Sequence, residues 1–153
     1  MTDTDVIVVG GGPVGVMTAL LLARRGFSVQ VLERAPEVYD LPRAIVMDDE
    51  IQRVFQNAGL LGELRAITTP LRGAEFVRPD GERIIGTELP EDVDWPLGLH
   101  PSVTYYQPEL EAFLREAAVR NGVELQLGVE VSSVDQTADG VTVLSDAGTV
   151  SAR

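Results

Sequence analysis

The stretch Val6-Ile7-Val8-Val9-Gly10-Gly11-Gly12-Pro13-Val14-Gly15, with Phe27-Ser28-Val29-Gln30-Val31-Leu32-Glu33 shortly after it, decides how this chain folds. The β-branched run Val6 to Val9, bounded by glycine, reads as a strand buried on both faces, because nothing in it alternates toward water. From Val14 to Arg25 the pattern becomes helical. Met17, Leu20, Leu21 and Leu22 supply a broad apolar stripe, Arg24 and Arg25 stand in the last turn, and Gly26 suits a C-terminal cap. Phe27 to Leu32 returns as a second strand. Strand, helix and strand make a βαβ unit, whose right-handed crossover forces the strands to pair in parallel. The expected class is therefore α/β.

Between the first strand and the helix, Gly10-Gly11-Gly12-Pro13-Val14-Gly15 spells G-x-G-x-x-G in the context that gives the motif meaning. Gly10 permits the tight turn, Gly12 lets the backbone approach a pyrophosphate, and Gly15 lets the helix pack closely on the sheet. The unpaired backbone N–H groups at the helix start point at the phosphates there. Glu33 ends the second strand, where a carboxylate accepts hydrogen bonds from both adenosine ribose hydroxyls and disfavours a 2'-phosphate. The spacing predicts a Rossmann-like site for an ADP moiety, but the motif alone does not separate FAD from NAD.

Outward from this unit, Asp48 can cap a helix whose apolar positions Ile51, Val54, Phe55 and Ala58 keep helical spacing until Gly59. Gly73 to Leu89 alternates around Pro79-Asp80-Gly81 and predicts a hairpin, and Pro90 to Pro101 is irregular. Gln107 begins another helix, with Pro108 at its first position and Leu110, Phe113, Leu114 and Ala117 on one face before Gly122. Val123 to Ala152 reads as strands, with turns at 138–140 and 146–148, an antiparallel meander added to the parallel sheet.

Composition narrows the partners. A formal charge of -12 disfavours nucleic acid and anionic membrane surfaces, both polyanions. All 12 basic residues are arginine, which carries no mechanistic content. The chain has no cysteine, so no disulfide or thiolate metal site is available, and the single histidine, His100, reads as a loop residue; no metal is expected. The Met1 to Asp5 stretch and the short run after it suggest neither export nor anchoring, and a cytoplasmic location is expected.

Several features together resemble a known family. Gly10-Gly11-Gly12-Pro13-Val14-Gly15 near the start, Leu32-Glu33-Arg34 after the second strand, and Tyr106-Gln107-Pro108-Glu109-Leu110-Glu111 opening a later helix are similar to the flavoprotein aromatic hydroxylases of the 4-hydroxybenzoate hydroxylase type. Pro42-Arg43-Ala44 with Asp48-Asp49-Glu50 resembles the subgroup of 3-(3-hydroxyphenyl)propionate hydroxylases. The resemblance implies an FAD-binding fold, NADH or NADPH as transient reductant, and O2 and a phenolic aromatic compound as reactants. It is compatible with a homo-oligomer.

Residue by residue, the resemblance implies that Gly10, Gly12, Pro13, Val14, Gly15 and Glu33 hold the ADP half and that Arg34 flanks the adenosine. It places Arg43 near the flavin or its diphosphate, Gln107 on the cofactor's linker, and the Gly128 to Val131 strand against the adenine. On the residues alone, Arg34 and Arg43 also read as solvated charges and Gln107 as a helix cap. No catalytic acid or base is expected within this chain. The family pattern makes residues 1–153 the N-terminal part of an FAD-binding domain, with about 70–103 on the substrate side and the remaining elements outside this sequence, so turnover by these residues alone is not expected. A dinucleotide-binding module without turnover and another FAD oxidoreductase, an epoxidase or reductase, stand as alternatives.

Overall fold

The computed structural model describes residues 4–41 and 43–153; Met1 to Asp3, and Pro42 of the Pro42-Arg43-Ala44 stretch, lie outside the described residues. In chain order the elements are β1 (Val6–Val9), α1 (Pro13–Ala23), β2 (Val29–Glu33), β3 (Val46–Asp48), α2 (Asp49–Asn57), α3 (Leu61–Ala66), β4 (Thr68–Pro70), β5 (Gly73–Val77), β6 (Arg83–Glu88), β7 (Ser102–Tyr105), α4 (Gln107–Arg120), β8 (Glu124–Leu127), β9 (Val131–Gln136), β10 (Val141–Ser145) and β11 (Gly148–Ala152). They form two compact units, one from Met1–Leu41 with Pro108–Arg153 and the other from Pro42–Gln107.

The first unit contains the expected βαβ motif. β1 and β2 pair in parallel from Val6 opposite Val29 to Val9 opposite Leu32. β8 joins on the far side of β2, also parallel, from Gln30 opposite Glu124 to Glu33 opposite Leu127, giving the order β1-β2-β8. The strand buried on both faces is β2 rather than β1: Val29, Val31 and Leu32 are buried, whereas Val9 is 55% exposed. The reason is position, since β2 has a hydrogen-bonded neighbour on each side and β1 ends the three-strand order.

α1 packs on β2 through Val16, Ala19 and Leu20, while Met17, Leu21 and Leu22 of the expected stripe are only half-buried. Full burial of a leucine such as Leu20 contributes about 1.5 to 3 kcal/mol. The helix stops at Ala23, so the two arginines follow it instead of forming its last turn. It closes with Gly26 N–H donating to Ala23 O and Phe27 N–H donating to Leu22 O. The antiparallel meander β9-β10-β11 shares a core with the parallel sheet, where Leu32, Val129 and Val143 pack with Ile7 and Val131. α4 begins at Gln107 as expected and buries Leu110, Leu114, Ala117 and Ala118, with Phe113 half-buried.

In the second unit the expected hairpin forms, β5 pairing with β6 from Gly73 opposite Glu88. Its apolar residues face outward, with Phe76 70% exposed and Ile84 and Ile85 each 63% exposed. Asp48 caps α2, its Oδ1 accepting from Ile51 N–H at 2.8 Å. Phe55 and Ala58 are buried as the spacing requires, but Ile51 is exposed and Gln52 takes the inner position. Its Nε2 donates to the His100 carbonyl at 2.8 Å, which satisfies the buried amide. The sheet β3-β7-β4 and the short α3 were not apparent from periodicity, because strands of three or four residues carry almost none. His100 is part of this framework, with Nδ1 2.6 Å from Ser102 O and its ring edge-on to Trp95 at 5.8 Å between centroids.

Candidate functional site

The glycine loop joins the carboxyl end of β1 to α1, and its geometry assigns a separate role to each glycine. Gly10 has φ of 108°, and its N–H donates to Leu32 O at 2.8 Å, tying the turn to β2. A Cβ built on Gly15 would lie 2.1 Å from the Gly10 carbonyl oxygen and 3.3 Å from Val8 Cγ1. Gly15 is therefore required by the approach of the helix to the loop itself as well as to β1. Cβ atoms on Gly10 or Gly12 would meet nothing within 4 Å, so the space in front of the turn is open.

α1 starts from Gly12 with no capping side chain, and Pro13 at its first position has no N–H to offer. The first turn holds no acidic residue to compete with an incoming anion. The partial positive charge at such a terminus attracts a phosphate by roughly 0.3 to 1 kcal/mol, so amide hydrogen bonds supply much of any further affinity.

Glu33 stands at the end of β2 beside this loop. Its Oε2 accepts from Gly11 N–H at 2.5 Å and its Oε1 from Ala35 N–H at 2.7 Å. Partial burial pushes its carboxyl upward, but the amides of Ala35 and Gly11 and the guanidinium charges of Arg115 and Arg34 outweigh that and hold it below the usual glutamate value. An ionised carboxylate has lone pairs beyond those engaged by the two amides, so it can also accept from ligand hydroxyls.

Sequence reasoning missed one residue here. Arg115, on the inner face of α4, is 9% exposed, and its Nη2 donates to Gly11 O at 3.3 Å. In a sequence rich in exposed charge, an arginine on a helix carries no mark of burial; only its register with Leu114 and Ala118 hints at an inner face.

The other expected residues fall as follows. Arg34 is exposed at the end of β2. The 128–131 segment crosses that same end, Val129 N–H donating to Glu33 O at 2.9 Å and Gly128 N–H to Ala35 O at 3.4 Å. The Val131 side chain is committed to the core, leaving backbone as what this segment offers a ligand. In the other unit, buried Gln107 accepts at Oε1 from the N–H groups of Arg43 and Ala44, both at 2.8 Å. Gln107 thus holds the backbone at Arg43 and Ala44.

An open glycine turn at the carboxyl end of a parallel strand, an uncapped helix start and an acid ending the next strand define a dinucleotide-binding α/β domain. Comparison with known proteins gives the family: residues 3–150 match the model of the FAD binding domain, and the chain belongs to that family. It is 41% identical over 143 residues to a probable NADH-specific resorcinol 4-hydroxylase of Rhodococcus jostii (strain RHA1), covering 92% of this chain and 26% of that protein. It is 36% identical over 149 residues to a 3-(3-hydroxy-phenyl)propionate/3-hydroxycinnamic acid hydroxylase of Mycobacterium sp. (strain JLS), covering 95% and 25%. Among solved structures, p-nitrophenol 4-monooxygenase from Pseudomonas putida DLL-E4 superposes with a TM-score of 0.83 at 30% identity, over 99% of this chain and 39% of that one. The chain thus spans about a quarter of the length of these curated relatives. Among the described residues, no helix is long and apolar enough to cross a membrane.

Proposed function

We propose that this chain is the FAD-holding portion of an NAD(P)H-dependent flavin monooxygenase that hydroxylates a phenolic aromatic compound, in the cytoplasm. The observation that carries the reading is the loop itself: Gly10 and Gly12 leave open space in front of an uncapped helix start, and Glu33 is fixed beside it by the Gly11 amide. That arrangement fits the ADP half of FAD, with the Gly12, Val14 and Gly15 amides taking the diphosphate and Glu33 the ribose hydroxyls. Gly10 supplies the turn and Pro13 the preset helix entry. Arg34 would flank the adenosine, and the backbone up to Val131 would meet the adenine.

Arg43 and Gln107 are assigned to the flavin side on the family pattern, Gln107 setting the Arg43 backbone from within its own unit. Bound FAD supplies two-electron redox chemistry and reaction with O2; these residues bind and orient it. The relatives named as resorcinol and hydroxyphenylpropionate hydroxylases support a phenolic substrate, and the former's NADH specificity makes NADH the first reductant to test.

Two measurements test the proposal. Titration of the chain with FAD should give saturable binding that ADP competes away. A protein that includes this chain at the full length of the curated relatives should oxidise NADH or NADPH faster when a phenolic acid is added, with oxygen from O2 in the product. Failure of FAD to bind rejects the cofactor assignment; binding without stimulated oxidation leaves a dinucleotide-binding module or a different FAD oxidoreductase.

A further inference from the structure

Gly11, the unspecified position between the first two motif glycines, is held at both of its backbone polar groups. Its N–H donates to Glu33 Oε2 at 2.5 Å, and its carbonyl accepts from Arg115 Nη2 at 3.3 Å. No peptide bond among the described residues is cis. In a planar trans peptide the C=O and the following N–H point in opposite directions. A Gly11 carbonyl drawn to Arg115 therefore obliges the Gly12 N–H to point away from Arg115, at a residue where an added Cβ would meet nothing within 4 Å. A glycine pair has little intrinsic resistance to rotating this peptide plane, so something outside the loop must fix it.

The arginine is unusual in its own right. It is 9% exposed, and its Nε is buried without a hydrogen-bond partner among the described residues. Enclosing a guanidinium is costly, and what its charge faces here is the Gly11 carbonyl and the Glu33 carboxylate of the same loop. We propose that Arg115 is a positioning residue for the cofactor loop: by holding the Gly11 carbonyl, it presents the Gly12 amide to the diphosphate. This inference rests on the FAD reading above and adds that α4, remote in sequence from the motif, sets which way the motif's peptide faces.

The role separates phosphate from ribose recognition, and that separation gives the test. At pH 7, ADP and adenosine are titrated into wild type, Arg115→Met and Arg115→Lys, with circular dichroism as the fold check. Arg115→Met should bind ADP about tenfold more weakly while adenosine affinity changes less than about twofold, and Arg115→Lys, which keeps a charged donor, should recover part of the loss. Equal losses for both ligands would indicate a merely structural role and overturn the proposal, as would unchanged ADP binding. If Arg115→Met fails to fold, Arg115→Lys decides: a lowered ratio of ADP to adenosine affinity supports the role, and an unchanged ratio overturns it. Wild type that binds neither FAD nor ADP overturns the FAD reading and this inference together; wild type that binds them with an unchanged ratio in the variants overturns this inference alone.

Discussion

Replacing Glu33 with alanine should weaken ADP and FAD binding at least about tenfold, a factor that corresponds to about 1.4 kcal/mol. The carboxylate already serves Gly11 and Ala35 through separate oxygens at 2.5 and 2.7 Å, which fixes its orientation before a ligand arrives. A hydrogen bond from a ribose hydroxyl to such a charged acceptor contributes about 1.5 to 3 kcal/mol, and partial exposure argues for the lower end. One lost ribose contact therefore accounts for the tenfold, and release of the Gly11 amide adds to it. Glu33→Gln should recover only part, since its single carbonyl oxygen can serve Gly11 or Ala35 but its amide nitrogen would confront the other N–H. The assay is calorimetric titration with ADP, FAD and adenosine, and the losses should extend to adenosine because it carries the same ribose. Affinities of Glu33→Ala equal to wild type for all three ligands would refute the reasoning.

Three further outcomes follow from the same geometry. Gly15→Ala places a Cβ 2.1 Å from a backbone oxygen that cannot move without the loop, so it should cost about 1 to 3 kcal/mol in urea unfolding and lower FAD affinity in parallel. Because the Glu33 carboxyl is held below the usual glutamate value, its contribution to stability is complete above that ordinary range and is lost as pH falls through the lowered value. ADP affinity measured downward from pH 7 should decline over that acidic window in wild type, and Glu33→Ala should lack the decline. Leu20→Ala, at a side chain with 0% exposure under α1, should destabilise the chain by about 2 to 5 kcal/mol in chemical denaturation.

The exposed hairpin is the main place where apolar pattern and observed burial disagree. Phe76 and Ile85 are directly opposite in register, yet both project into solvent among the described residues. Residue types in a strand report a preference for a packed surface, and the partner that supplies it need not lie within the same stretch of sequence.

What this sequence determined unaided is local. The β-branched run, the glycine spacing and the acid at the end of the next strand lie within one short segment, and they specify β1, α1, β2 and the candidate ribose carboxylate together, because turn, helix entry and strand are each set by neighbours in the chain. Asp48 and Pro108 marked their helix starts for the same reason. Tertiary structure alone decided that Glu124–Leu127 becomes the third parallel strand, that β2 rather than β1 is enclosed, that Gln52 rather than Ile51 faces inward, and that Arg115 reaches the Gly11 carbonyl. Each of these depends on which distant surface a residue meets, and a helix or strand pattern describes a face without naming what will cover it.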